Sequence, residues 1–167
     1  MILQNFRADI HELASLLFDE IKNTPYPLRQ DDRERTGLAI LVREIGADNQ
    51  IYVTVDKPSD GGKFYVSEKA TRSELLEHWT SGNSADKSKR RYHGCITFLM
   101  DGKKFQVSTS GLQEHEDVAV SLRVASQLSG KKVSTIVAVI QSHDGILPEW
   151  VDNNTHYLHA VMAKIAA

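Results

Sequence analysis

The chain has 167 residues, of which 41% are hydrophobic and 25% charged, a length and balance that fit one globular domain with a sizeable core. A formal net charge of −2 makes no general electrostatic case for nucleic acid, and a single cysteine, Cys95, excludes a disulfide framework within the chain. No apolar run approaches the ~20 residues of a membrane span. The N-terminus also lacks a basic segment followed by an apolar run, so a cytoplasmic protein with no membrane partner is expected.

In chain order, Phe6, Ile10, Leu13, Leu17 and Ile21 recur at helical spacing and predict a helix over about residues 4–22. His11 lies on its polar side as a solvated residue. Pro25 and Pro27 bar a helix in the next connection, and Arg29 to Arg35 mixes both charge signs, as a solvated loop does. Gly37 to Glu44 is apolar on both faces and predicts a central strand. Ile51 to Val55 returns it antiparallel. Lys57 to Gly62, with Pro58, Gly61 and Gly62, reads as a loop, and it lacks the lysine and Ser/Thr order of a phosphate-binding loop. Lys63 to Val66 reads as a short extended segment. Thr71 and Glu74 have capping-box spacing, which predicts a helix from about Ser67 or Thr71 to Thr80. Ser81 to Arg91 is a polar loop rich in Lys87, Lys89, Arg90 and Arg91.

The stretch from Tyr92 to Leu128 is the most informative. Asp101-Gly102 supplies the positive φ angles of a two-residue type I′ turn between two apolar-rich runs, so a hairpin is predicted. Its register sets Phe98 opposite Phe105 and Ile96 opposite Val107, all on one core-facing side. Cys95, Thr97, Gln106 and Ser108 share the other, more polar side, which faces water, a ligand or a second layer. The same register sets His93 opposite Ser110, a candidate polar couple beside the turn that follows. Ser110 and Gln113 have capping-box spacing at the start of a helix. Glu114, Glu116 and Asp117 then suit its N-terminus and argue against a phosphate there. A metal site from His115, Glu116 and Asp117 is disfavoured, because adjacent helical residues point in different directions. Val118, Leu122, Ala125, Val120, Val124 and Leu128 make this helix apolar over much of its circumference. Either another helix or another subunit must therefore cover it.

Ser129-Gly130 stops that helix. Val133 to Ile140 is the most β-prone run and predicts a buried strand. Gln141 to Trp150 reads as a loop containing His143. Leu158, Val161, Met162 and Ile165 mark a C-terminal helix begun near Asn153 or Asn154. His156 and His159, three apart on it, are the weak candidates for a metal site, with no third ligand fixed by spacing. The expected fold is a single α/β (α+β) domain over residues 1–167. Its sheet is mainly antiparallel with five or six strands and flanking helices, and residues 133–167 form a strand-helix addition.

Ser110-Gly111-Leu112 followed by Glu114, Glu116 and Asp117 resembles the strand-to-helix turn of the GlcG/HbpS-like group of small profilin-like α/β domains. His93-Gly94-Cys95-Ile96 matches that group's glycine-led strand before the hairpin. Lys69-Ala70 matches a pair that opens the preceding helix. The resemblance covers about residues 39–128. It implies a homo-oligomeric domain that binds a small molecule. No axial ligand of a haem can be matched to a histidine, so no cofactor is assigned. Three functions compete. The first is a non-enzymatic small-molecule-binding or sensing domain, with His93, Ser110, Gly111, Arg90 and Arg91 as ligand contacts and a homo-oligomer formed through the 114–128 helix. The second is an enzyme for a small acidic metabolite, with His93 as base and Arg90 or Arg91 holding the acid. The third is an interaction module with no pocket.

Overall fold

A computed structural model describes residues 1–23 and 35–145. Residues 24–34 and 146–167 lie outside the described residues, and with them the loop expected to run on to Trp150, the expected C-terminal helix and the His156/His159 pair.

A 3-10 turn over Leu3–Phe6 leads into α1, Arg7–Asn23, which buries Ile10, Leu13, Leu17 and Ile21 as their spacing requires. β1, Gly37–Glu44, pairs antiparallel with β2, Gln50–Asp56. After α2, Asp60–Leu75, the chain forms the hairpin of β3, Cys95–Met100, and β4, Lys103–Ser110. Two helices follow among the described residues: α3, Glu114–Ser129, and α4, Val133–Asp144. Among the described residues the sheet has four antiparallel strands in the order β2-β1-β4-β3, against the expected five or six.

The hairpin register is the expected one. Asp101 and Gly102 take φ of 54° and 73°, as a type I′ turn requires, and Phe98 pairs with Phe105 and Ile96 with Val107. Alternation then assigns the two faces. Leu38, Ile40, Val42, Ile96, Phe98, Phe105 and Val107 join the apolar side chains of α1, α3 and α4 in the main core. Ala39, Leu41 and Cys95 meet Val66 and Ala70 of α2 in a smaller core on the opposite face. The polar hairpin face is therefore under a second layer. Gln106 Nε2 donates to the Ala70 carbonyl at 3.0 Å and Ser108 Oγ to the Val66 carbonyl at 2.6 Å. Two polar side chains removed from water on this side, Gln106 and Ser108, are thus answered by the helix above them.

Two segments depart from expectation. α2 begins at Asp60, so Lys63 to Val66 is helical and the Thr71/Glu74 pair lies inside the helix, as does Lys69-Ala70. Ser59 is the N-cap, its Oγ accepting from Gly62 N at 3.1 Å. Two glycines in a first turn carry low helix propensity, about 1 kcal/mol each. Gly62 lies beside the β4–α3 turn, where a Cβ on it would be 3.7 Å from Gly111 Cα, an ordinary contact distance. The buried stripe of α2 is Gly62, Val66, Lys69, Ala70 and Ser73, which is helical in spacing but not apolar. The other departure is Val133 to Ile140, which is helix and not strand. Ile136, Val137 and Ile140 are the residues it buries, a helical i, i+1, i+4 pattern that overrides β propensity. α4 packs on α3 and on β3, so Val120, Val124 and Leu128 of α3 are buried within one chain. The covering partner is another helix of the same chain, and these residues present no surface to a second copy.

Both sheet edges are covered. Along β2, Gln4 Nε2 donates to the Gln50 carbonyl at 3.2 Å and Arg7 Nη1 to the Tyr52 carbonyl at 2.7 Å. Along β3, Thr97 N donates to the Trp79 carbonyl at 2.7 Å. The last turn of α4 holds that segment in place. Asp144 accepts from the amides of Trp79 and Thr80 at 2.9 and 2.7 Å, and His143 stacks on Trp79 with centroids 4.0 Å apart. His143 is thus a packing residue on a helix.

Candidate functional site

Three backbones converge where α2 begins, β1 begins and β4 turns into α3. Gly111 makes that turn at φ 115°, and a Cβ on it would sit 2.5 Å from the Gly37 carbonyl oxygen. A Cβ on Gly37 would in turn meet Val55 O and Pro58 N at 2.5 Å. Only glycine satisfies these contacts, so the seam is written into the sequence at Gly37 and Gly111.

Beside the seam lies a cavity of about 560 Å³. Thr36 and Gly37 form one wall, and Ser59, Gly61 and Gly62 at the start of α2 form another. Ser110, Gly111 and Leu112 lead to the start of α3, where Gln113 and Glu114 line the space. Tyr65, Tyr92 and Lys87 complete the side, with Lys69 and Asp117 at the floor. Tyr65 and Tyr92 meet edge to face at 5.1 Å, and Phe64 packs edge-on against Tyr65 at 5.2 Å.

The floor is a buried ion pair. Lys69 Nζ donates to the Thr109 carbonyl at 2.8 Å and to Asp117 Oδ2 at 3.2 Å, while Asp117 Oδ1 accepts from Leu112 N at 3.1 Å. Burial pushes the Asp117 carboxyl up to about 6, against the opposing pull of the Lys69 ammonium. Next to it, Arg35 grips Glu116 with two bonds of 2.7 and 2.9 Å. Glu116 Oε1 also accepts from Gln113 N at 3.0 Å, so the capping box of α3 is Gln113/Glu116 and not Ser110/Gln113. With Glu116 and Asp117 each engaged by a cation, the acids at this helix start stabilise the turn. Among the described residues no group of three His, Cys, Asp or Glu side chains could hold a metal ion.

The rim is a second, more open pair. Lys87 Nζ lies 3.3 Å from Glu114 Oε1, and its side chain is 69% exposed against 17% for Glu114. Glu114 Oε2 accepts from His93 N at 3.0 Å.

Of the five residues expected at the site, Ser110 and Gly111 line the cavity; His93, Arg90 and Arg91 do not. The β3–β4 ladder ends at Cys95↔Ser108, with one further bond from Thr109 N to the Gly94 carbonyl at 3.1 Å. Ser110 pairs with Ala39 of β1 on its other side, while on the β3 side the ladder stops short of His93. The imidazole turns to Gly82, where a Cβ would be 2.5 Å from Nδ1, and its Nε2 lies 3.8 Å from Glu114 Oε2. Burial lowers the His93 pKa, with Glu114 opposing and Lys69, Lys87 and Arg72 reinforcing. No hydrogen bond joins His93 to Ser110. Arg90 closes a 3-10 turn in the left-handed region at φ 55°, and Arg91 bridges to Asp86 through its backbone; both side chains are exposed. Cys95 is fully buried and its thiol is pushed up to about 12 by desolvation, which rules it out as a nucleophile in the folded chain.

No family model matches the sequence, and no match to it was found among curated proteins or solved structures.

The α2 side of the cavity was missed in the sequence because loop and strand were expected there. One signal was present. Lys69 falls on the same helical face as Gly62, Val66, Ala70 and Ser73, and a lysine among small residues on an inward stripe calls for a buried acid. Asp117, on the inward side of α3, is that acid.

Proposed function

We propose that this chain is a small-molecule-binding domain whose ligand occupies the cavity between the N-terminal ends of α2 and α3. The observation that carries this reading is the cavity itself. Its volume of about 560 Å³ lies in the range of sites that enclose metabolites, and bare glycine backbone, two tyrosines and two ion pairs form its walls. Opposite charges balance within it: Lys69 with Asp117, and Lys87 with Glu114. A polyanion such as a nucleotide phosphate would meet Glu114 and Asp117, so phosphates are disfavoured. A non-enzymatic role fits better than the enzyme reading: Lys69 and Asp117 are bonded to each other, Glu114 is held by His93 N, and neither lining serine, Ser59 or Ser110, is hydrogen-bonded to a histidine or carboxylate that would activate it.

The resemblance of Ser110-Gly111-Leu112 and its following acids to the GlcG/HbpS-like turn supports the same reading, as does an antiparallel sheet with helices on both faces in the profilin-like manner. A reducing cytoplasm suits its one buried thiol. Oligomerisation, if it accompanies sensing, must use a surface other than the apolar side of α3.

The test is a screen of small polar metabolites by amide chemical shifts of the isotope-labelled protein. Binding in the cavity moves the amides of Gly61, Gly62 and Gly111 together and leaves Gly46 and Gly102, which lie at distant turns, unmoved. A library in which no compound moves the three cavity glycines would refute the proposal.

A further inference from the structure

Within that reading, on which it rests, we infer that the ligand is a zwitterion: an α-amino acid with an aromatic side chain. The two ion pairs of the cavity differ in what they leave available. In the floor pair both side chains are almost fully buried, and further bonds to Thr109 O and Leu112 N tie them into the fold, so this pair opens only at high cost. The rim pair is otherwise. Glu114 is mostly buried and positioned, with Oε2 tied to His93 N, whereas the partner of its Oε1 is a surface lysine on a flexible stem. An exposed pair of this kind opens at little cost.

A ligand ammonium that displaces Lys87 keeps Glu114 neutralised, and the released Lys87 ammonium follows the ligand carboxylate. One ion pair is exchanged for two and no net charge enters the cavity. A lone cation would leave Lys87 beside a second positive charge. A lone anion would have to face Glu114, whose carboxylate cannot leave because His93 N holds it. Lys87 and Glu114 are near enough to touch in the closed pair, so a lysine displaced from Glu114 stays within reach of a carboxylate borne on the carbon that carries the amine. The Tyr65–Tyr92 pair, braced by Phe64, offers a ring surface for a flat apolar side chain.

The test compares phenylalanine with phenethylamine, which lacks the carboxylate, and 3-phenylpropionate, which lacks the amine. Affinities are read from titrations of the Gly61, Gly62 and Gly111 amides. Phenylalanine is expected to bind at least about tenfold more tightly than either analogue, the factor that one charge-assisted contact supplies. Glu114→Gln, which keeps an acceptor for His93 N, and Lys87→Met, at an exposed position, are each expected to weaken phenylalanine by about tenfold and to bring it level with one analogue. Equal binding of an analogue, or an unchanged affinity in both variants, overturns the zwitterion while the cavity reading stands. So does a result in which none of the three compounds moves the cavity amides but other library members do. If nothing in either set moves them, both readings fall together.

Discussion

Replacing Lys69 by methionine removes the ammonium from the floor of the cavity and keeps most of the stem that packs under α2. The Thr109 carbonyl and Asp117 Oδ2 then lose their donor, and Asp117 keeps only Leu112 N. Breaking a buried pair from one side costs about 3–5 kcal/mol, because the surviving charge is left without compensation. The carboxyl can escape by taking a proton, and this makes the cost depend on pH. In the intact protein burial already raises Asp117 from an ordinary 3.8 to about 6. A carboxyl raised on folding binds more protons in the native state than in the unfolded one. Its contribution to stability is therefore complete below about pH 4 and is lost as pH rises through about 6, a change of about 3 kcal/mol. Without Lys69 to oppose burial, the native value climbs further and the loss continues to higher pH. The difference between Lys69→Met and the parent should then be smallest at pH 5 and grow by about 2–3 kcal/mol by pH 8, the two pH units above about 6 at about 1.4 kcal/mol each. Adding Asp117→Asn to Lys69→Met should recover part of the loss at pH 8. Urea denaturation followed by far-UV circular dichroism at pH 5, 6, 7 and 8 measures each value. A cost under about 1 kcal/mol at pH 8, or one that does not change with pH, would mean that the pair is not the buried charge couple described.

Gly111→Ala places a Cβ 2.5 Å from Gly37 O at φ 115°, so strain and overpacking together should cost more than about 2 kcal/mol in thermal or urea unfolding. Gly46→Ala, where φ is 82° but no atom lies within 4 Å, should cost only about 1–2 kcal/mol, which separates crowding from conformation. Asp144→Ala leaves the amides of Trp79 and Thr80 without their acceptor, and a loss of about 2–3 kcal/mol is expected, with faster hydrogen exchange at those two positions. The Cys95 thiol, pushed up to about 12, should resist a disulfide reagent at pH 8 until denaturant opens the fold; rapid labelling of native protein would contradict its burial.

Much of the sheet could be read directly. Asp101-Gly102 dictates its own backbone, and β1 announces a central place by being apolar on both sides, as the order β2-β1-β4-β3 requires. The helices were harder wherever the decisive contact is made by a distant segment. Val133 to Ile140 carries strong β preference, but its connection from Gly130 is short and its Ile136, Val137 and Ile140 face α3 and β3 only as a helix. The start of α2 hides behind Pro58, Gly61 and Gly62, which locally spell a loop. Only the Ser59 cap on the Gly62 amide, a contact within the segment itself, marks the helix start. The site divides in the same way. Ser110 and Gly111 were found because a strand-to-helix turn is a local event. His93 was drawn to Ser110 by extending a ladder that stops two residues earlier, where Gly94 takes φ 136° and sends the chain towards Glu114.

The side chains of Gln4 and Arg7 occupy the outward carbonyls of Gln50 and Tyr52. A shortened chain that starts after Arg7 would bare that margin of the sheet, and a stranger's extended segment could then zip onto it. The opening seven residues thus act as a selvedge: Leu3 anchors them in the main core, and Gln4 and Arg7 bind off part of the outermost strand's free margin.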